Sequence, residues 1–154
     1  MKTVRQRVIP ASPEAVWRAI SPLERAPQWL AGVESVEHTG GPVEGVGRQQ
    51  RLTKLLYKHD VEIDQEIAVW ESQRQLSLKH VRESSGGKDL NGVRDFHTTV
   101  FLEPERRGTR VRVEYTWKAS LGLAWLFSFL LGGRVMSGEL KETLTKIELL
   151  VRAK

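Results

Sequence analysis

The carboxy-terminal stretch Ser120–Val151 limits the possible folds more than any other part of this sequence. Its first part, Leu121–Leu131, is apolar on nearly every side, whereas the second part has one apolar stripe at helical spacing. The stripe consists of Met136, Leu140, Leu144, Ile147 and Val151. A straight helix over the whole stretch would measure about 48 Å, but a ten-residue strand spans only about 33 Å. We therefore expect a long helix that breaks at Gly132-Gly133 and covers a sheet with its second part.

The segments that precede this helix alternate between apolar and polar residues with a period of two, which is typical of half-buried strands. The alternation is clearest in His59–Trp70, where Gln65 shares one face with four aliphatic residues. Seven strands are predicted: Thr3–Pro10, Val33–Thr39, Val46–Leu56, His59–Trp70, Gln75–Glu83, Val93–Glu103 and Thr109–Lys118. Ser84–Asn91 is predicted to be a flexible loop.

Two short helices are expected between the first and second strands. Ser12-Pro13-Glu14 has the residues of a helix start, with serine as the N-cap and proline in the first turn. The first helix is predicted over Pro13–Ile20, and the second over Ala26–Ala31, ending at Gly32. The fold class predicted for residues 1–154 is thus α+β, as one domain.

The composition is that of an ordinary globular domain and excludes several kinds of site. The 154 residues contain no cysteine, which excludes disulfides and cysteine nucleophiles and fits a cytoplasmic location. The net charge is +5, but basic and acidic residues are interspersed and the tryptophans lie in apolar patterns, so no nucleic-acid partner is expected. The histidines lack metal-ligand spacing and no cofactor fingerprint is present, so neither metal nor cofactor is expected.

Several short motifs resemble those of one superfamily. The segment Val4–Val36 has a strand, Ala-x-Pro-x-x-Val-Trp, a short helix, a second helix with tryptophan, and a strand. The matching residues are Ala11, Pro13, Val16, Trp17 and Trp29, with Glu71 and Leu76 at a hairpin and Gly108-Thr109-Arg110-Val111 entering the seventh strand. Over its whole length the chain resembles the START-like superfamily, also called SRPBCC or the polyketide cyclase/dehydrase and lipid-transport superfamily.

The resemblance implies the helix-grip fold, a seven-stranded curved antiparallel sheet wrapped around the C-terminal helix. Members of the superfamily include lipid carriers, aromatic polyketide cyclases, coenzyme Q-binding proteins, plant hormone-binding proteins and Hsp90-activator-like domains. Because the motifs mark turns, caps and core positions, they imply the fold and do not choose among these functions.

Hairpin loops predict the strand registers and hence the inner face. A loop at Glu71–Arg74 sets Trp70 opposite Gln75 and gives the pairs Val69–Leu76, Ile67–Leu78 and Gln65–His80. A loop at Pro104–Arg107 gives the pairs Val100–Val111, Thr98–Val113 and Phe96–Tyr115. A longer loop joins the strands of His80 and Thr98 and leaves their register open, but their parity allows His80 to lie beside Thr98. Gln65, His80 and Thr98 would then form a polar band on an apolar concave face, which is typical of a small-molecule site.

For one strand, the sequence does not decide which set of side chains faces inward. In Val46–Leu56, either the set with Arg48, Gln50, Leu52 and Lys54 or the set with Gln49, Arg51, Thr53 and Leu55 faces inward. We favour Arg51 outside. An inward arginine would favour a ligand with a carboxylate.

The predicted ligand contacts come from the sheet, the second short helix and the closing helix. They are Gln65, Ile67, His80, Phe96, Thr98, Val113, Tyr115, Trp117, Trp29, Met136 and Leu140. Antiparallel connectivity places a mouth or lid at one end of the sheet, with Leu30, Tyr57, Leu90, Leu123, Trp125, Leu126 and Phe129.

Three functions are compatible with this arrangement. The first is binding, with or without transport, of a small lipophilic ligand between the sheet and the C-terminal helix. The second is a cyclase or dehydrase in which His80 acts as the general acid and base, although an inward histidine is also a common structural residue. The third is a transient membrane contact or a homodimer contact through Leu121–Leu131, whose aromatic residues cannot all face inward.

Overall fold

Strands are the predominant secondary structure of the residues described below. A computed structural model describes residues 1–56, 59–89, 93–119 and 133–153 of the protein. The strands of these residues are β1 (Lys2–Ile9), β2 (Val33–Gly40), β3 (Gln49–Leu56), β4 (His59–Glu71), β5 (Gln75–Ser85), β6 (Lys88–Asp89), β7 (Val93–Glu105) and β8 (Gly108–Ala119). The helices are α1 (Pro13–Ile20), a 3₁₀ helix (Leu23–Arg25), α2 (Ala26–Trp29) and α3 (Gly133–Arg152).

The strands form one curved antiparallel sheet in the order β1-β8-β7-β5-β4-β3-β2, with β6 paired to β5. The described residues therefore contain eight strands. The prediction of seven was wrong, because it did not include the short strand β6. That strand lies within the segment predicted to be a flexible loop. It forms because Gly86 and Gly87 both have positive φ, as a two-residue turn between Ser85 and Lys88 requires.

The first short helix begins as its sequence predicts. The Ser12 hydroxyl accepts a 3.1 Å hydrogen bond from the backbone N–H of Ala15, and Pro13 occupies the first turn. α2 is shorter than predicted, because the backbone of Leu30 is already extended. Both helices bury their tryptophans, Trp17 and Trp29, in the core.

The closing helix, α3, packs against β1, β8, α1 and α2. The predicted apolar stripe faces this core: Leu140, Leu144 and Ile147 are buried, and Met136 and Val151 pack at its edges. The helix-grip prediction is confirmed. Residues 120–132 lie outside the described part of the chain. The predicted break at Gly132-Gly133 falls on the border of this segment, since Gly133 is the first residue of α3.

In the β4–β5 hairpin, the prediction is correct near the site and wrong near the turn. The pairs Gln65–His80 and Ile67–Leu78 are formed, but Val69 lies opposite Ser77 and Trp70 opposite Leu76. Ala68 is an extra residue in β4 at this point, so the register shifts by one. The connecting loop is correspondingly shorter, since Glu71 pairs with Gln75.

In the β7–β8 hairpin, the predicted register was wrong by two residues. Val100 lies opposite Val113 and Thr98 opposite Tyr115, because the turn consists of only two residues, Arg106 and Arg107. A shift by two keeps the side chains from His97 to Glu105 on their predicted faces. The register changes by one residue between Arg94 and His97, and the predicted pair Phe96–Tyr115 is not formed.

Next to this hairpin, the position of Thr98 relative to His80 was also wrong. Thr98 lies opposite Leu78, and the pairing of β5 with β7 ends at Lys79 and His97. The imidazole of His80 packs instead on the ring of Phe96, with the ring centroids 4.5 Å apart.

The facing of β3 and of the residue that precedes it is settled by burial. Arg48, Gln50 and Leu52 are at most 2% exposed, whereas Arg51 is exposed and pairs with Asp64 on the outer face. The expectation that Arg51 lies outside was correct.

Candidate functional site

A cavity of about 270 Å³ lies between the sheet and the first turns of α3. Nine of its sixteen lining residues are apolar: Leu30, Ala31, Val33, Leu52, Val61, Ile63, Phe96, Val135 and Met136. The other seven are Lys54, Gln65, His80, Glu83, Thr98, Tyr115 and Glu139. An apolar wall with a few polar groups that converge on one space is the usual composition of a small-molecule site.

The apolar part of the wall follows from strand alternation. Val61 and Ile63 share the inner face of β4 with Gln65, and Leu52 lies opposite Ile63 on β3. Phe96 of β7 extends this wall, because its ring lies 5.0 Å from the ring of Tyr115 on β8.

A buried chain of hydrogen bonds ends at the cavity. Nε of Arg48 donates to Oε1 of Gln50 over 3.0 Å, and Nε2 of Gln50 donates to Oε1 of Gln65 over 2.9 Å. Arg48 and Gln50 are almost inaccessible, and Arg48 also donates to Glu24 and to the carbonyl oxygen of Val43. Arg48 is therefore satisfied by the protein and does not reach the cavity itself.

A second polar group joins the sheet to the helix. Nζ of Lys54 lies 2.9 Å from Oε2 of Glu139, and the hydroxyl of Tyr115 donates to the same oxygen over 2.9 Å. Burial raises the pKa of Tyr115 well above its ordinary value, and the Glu139 carboxylate acts in the same direction. Tyr115 is thus a neutral donor in this group at physiological pH.

The third polar group is a histidine–carboxylate pair. Nδ1 of His80 lies 2.9 Å from Oε1 of Glu83, and both residues line the cavity. Burial lowers the pKa of the His80 imidazole, and the hydrogen bond and charge of Glu83 partly offset this effect. The neutral imidazole donates from Nδ1, which leaves Nε2 as its acceptor nitrogen.

The structure brings six of the eleven predicted ligand contacts to the cavity wall. These six are Gln65, His80, Phe96, Thr98, Tyr115 and Met136. The other five, Ile67, Val113, Trp117, Trp29 and Leu140, are buried in the core and do not line the cavity. Whether the six contact a ligand stays a prediction.

Of the predicted mouth residues, Leu30 lines the cavity. Tyr57, Leu90, Leu123, Trp125, Leu126 and Phe129 lie outside the described residues, as does the segment 121–131 to which they partly belong.

Sequence reasoning did not select several polar residues of the wall. Lys54 belonged to one of the two faces left open for β3, and Glu139 lies three residues from Met136 on the inner side of α3. Both could have been found from these spacings. Glu83 has the opposite parity to His80, so simple alternation places it on the outer face.

In the part of the chain that the structure describes, no three His, Asp or Glu side chains are grouped to hold a metal ion. No helix of that part is long and apolar enough to cross a membrane.

The curved sheet, the closing helix and the cavity between them define a helix-grip protein with the architecture of a ligand-binding fold. The model of the family described as polyketide cyclase / dehydrase and lipid transport matches residues 1–152, and the chain belongs to this family. No curated protein matches the sequence.

Solved structures share the fold at low sequence identity. Protein TTHA0849 from Thermus thermophilus is 23% identical with a TM-score of 0.77, over 99% of this chain and 98% of that chain. Protein MLL2253 from Mesorhizobium loti is 19% identical with a TM-score of 0.71, over 100% and 98% of the two chains. Ara h 8.0201 is 14% identical with a TM-score of 0.71, over 100% and 99%. At these identities the likeness concerns the fold alone.

Proposed function

We propose that this protein binds a small lipophilic ligand in the cavity between the sheet and α3. The observation that carries the proposal is the cavity itself, about 270 Å³ in volume with a mainly apolar wall. Moving apolar surface of a ligand from water to this wall is favourable by about 25 cal/mol per Å². The polar groups at Gln65, His80 and Thr98 would orient one end of the ligand. Membership of a family described by lipid transport supports the same reading.

Binding of an apolar fluorescent probe, N-phenyl-1-naphthylamine, tests this proposal. Val61→Phe places a larger side chain in the cavity, and Glu62→Phe places the same side chain on the exposed face of the same strand. We expect the wild type and Glu62→Phe to bind the probe alike, and Val61→Phe to bind it at least about tenfold more weakly.

Circular dichroism shows whether Val61→Phe is folded, and Ala31→Leu offers a second way to reduce the cavity. Native mass spectrometry of freshly purified protein, followed by extraction, searches for a bound lipid. A wild type that binds no probe and carries no extractable ligand refutes the proposal.

A second function is favoured by the pair formed by His80 and Glu83. A neutral imidazole held through Nδ1 by a carboxylate presents Nε2 as a base, which suits proton abstraction next to an enolisable carbonyl. In a cyclase or dehydrase of this kind, His80→Ala would lose turnover of a polyketide-type substrate and Glu83→Gln would slow it. Undiminished turnover in His80→Ala excludes the function.

The third function, membrane or homodimer contact through residues 121–131, concerns a segment outside the described residues. Liposome flotation and sedimentation of the double variant Trp125→Ser/Phe129→Ser test it, and unchanged behaviour in both assays argues against it.

A further inference from the structure

Arg48, which lies outside the cavity, determines whether Gln65 presents a hydrogen-bond donor or an acceptor to the cavity. A guanidinium has hydrogen-bond donors and no acceptor, so the amide oxygen of Gln50 must face Arg48. The amide nitrogen of Gln50 is then left for Gln65 and must meet the oxygen of that residue. Gln65 consequently has only its NH₂ group to offer the cavity. In the described part of the chain, nothing accepts a hydrogen bond from Nε2 of Gln65.

The charges of the wall disfavour an anionic ligand. Lys54 is the one cation among the described residues that line the cavity, and its ammonium already lies against Glu139. Glu83 adds a second carboxylate, so the charged residues of the described lining carry one net negative charge with His80 neutral. Arg48 behind the wall is paired with Glu24 and leaves this balance unchanged. A carboxylate in the cavity would be desolvated, and none of the lining residues that the structure describes offers it a free cation.

The volume restricts the ligand further. An apolar cavity of about 150 Å³ accommodates benzene. The cavity here measures about 270 Å³. It therefore suits a rigid ligand of about two fused rings better than an extended chain or a four-ring compound.

We infer that the cavity selects a neutral ligand of about two rings with a carbonyl-type acceptor oxygen, bound by the Gln65 amide, whose orientation Arg48 and Gln50 fix. The inference rests on the proposed function and specifies the ligand class of the same site. Gln65 is the specificity residue that contacts the ligand, and Gln50 is a positioning residue.

Three naphthalenes of similar shape test the selection, each measured by displacement of N-phenyl-1-naphthylamine. 2-Acetylnaphthalene supplies the acceptor oxygen, 2-isopropenylnaphthalene is its hydrocarbon counterpart, and 2-naphthoate is the anion. We expect the ketone to bind about fivefold more tightly than the hydrocarbon, since it gains one hydrogen bond to Gln65. The anion should bind at least about tenfold more weakly than the ketone.

The variant Gln50→Glu tests whether ketone preference depends on the orientation of the Gln65 amide or only on the presence of a polar side chain at position 65. A carboxylate at position 50 accepts from Arg48 and also from Gln65, which forces the NH₂ of Gln65 away from the cavity and its oxygen towards it. The ketone should then lose its advantage over the hydrocarbon. 1-(2-Naphthyl)ethanol should keep an advantage, because a hydroxyl can donate to the exposed oxygen.

Gln65→Met serves as the second variant, because it removes the amide while it keeps the side-chain length. It should bind the ketone and the hydrocarbon equally, with hydrocarbon affinity close to that of the wild type. This outcome supports the inference even where Gln50→Glu proves unfolded by circular dichroism.

The possible failures are distinct. A wild type that binds the probe but prefers neither ketone over hydrocarbon nor ketone over anion overturns the inference and leaves the proposed function standing. An unchanged ketone preference in folded Gln50→Glu, or in Gln65→Met, also overturns it. If the wild type binds no probe and carries no extractable ligand, the proposed function fails and the inference fails with it.

Discussion

Nδ1 of His80 lies 2.9 Å from Oε1 of Glu83, although three residues along one strand ordinarily place two side chains on opposite faces. The cause is a bulge at Val81. Asp64 pairs with Arg82 and Gln65 with His80, so Val81 is left over in β5 and its side chain is exposed. The extra residue restores a common face for His80 and Glu83. A local irregularity of the strand thus builds the one histidine–carboxylate pair of the cavity wall in the described part of the chain.

The burial of His80 should make the stability of the protein depend on pH. The pKa of the folded-state imidazole is lowered, chiefly by burial, while that of the unfolded chain is about 6.5. As the pH falls through this range, the unfolded chain takes up a proton that the folded protein resists. The free energy of unfolding should therefore decrease from pH 7.5 to pH 5.5.

Urea unfolding of the wild type and His80→Gln over this pH range measures the effect. The groups that act on His80 are Glu83, Lys54, His97 and Phe96, and all four remain in the variant. We expect a shallower decrease in His80→Gln. Equal pH dependence in the two proteins would falsify the assignment of His80 as a buried neutral residue.

Arg48 should stabilise the protein far more than Arg51, although both belong to the same stretch of chain. Replacing Arg48 by methionine leaves the amide oxygen of Gln50 and the carbonyl of Val43 without their buried donor. We expect Arg48→Met to lower the free energy of unfolding by about 2–3 kcal/mol. Arg51→Met removes only an exposed pair with Asp64 and should have little effect. Urea midpoints compare the two variants, and equal losses would contradict a structural role for the Arg48–Gln50–Gln65 chain.

The contrast between these two arginines also shows what the sequence could predict. Alternation assigns Arg48 and the residues of β3 to two opposite faces. Which of the two faces is buried becomes clear only when β3 is paired with β4. The outer position of Arg51 was predictable from the acidic face of β4, which supplies Asp64. The hydrogen bonds of Arg48 were not, because Glu24 and Val43 come from segments without a regular period.

Bulges limited the prediction of the site in a similar way. The pair Gln65–His80 was predicted correctly, while Ala68 and Val81 each shift the register nearby and neither has a distinctive sequence. In β7, Asp95 has a positive φ and lies in the irregular stretch that includes Phe96. The register error at Val100 and Thr98 has a different cause, the short turn between β7 and β8, and because it is two residues it leaves their side chains on the predicted faces.

Glu139 should contribute to stability through the two donors that it binds. Glu139→Ala leaves the Lys54 ammonium and the Tyr115 hydroxyl without their shared acceptor in a mostly buried position. We expect a loss of about 1–2 kcal/mol in the free energy of unfolding. Glu142→Ala makes the same change at an exposed position of α3 and should cost little. Chemical denaturation of both variants decides the matter, and a loss no greater for Glu139→Ala than for its control would refute this role.

Gly108 should be irreplaceable for steric reasons beyond its backbone angle. Its φ is +143°, and a Cβ atom there would lie 2.0 Å from the carbonyl oxygen of Ile9, at the end of β1. Gly45 also has positive φ, at +97°, but a Cβ atom there would meet nothing within 4 Å. Gly45→Ala should therefore show the backbone strain alone, at about 1 kcal/mol.

Gly108→Ala adds a collision with backbone that cannot move without separating β8 from β1, because Ile9 pairs with Thr109 beside the glycine. We expect a loss of more than about 3 kcal/mol, or failure to accumulate as folded protein. Thermal unfolding of the two alanine variants in parallel provides the measurement. Similar midpoints would mean that β1 can shift away from the turn, and the close approach of Gly108 to Ile9 would then be adaptable instead of fixed.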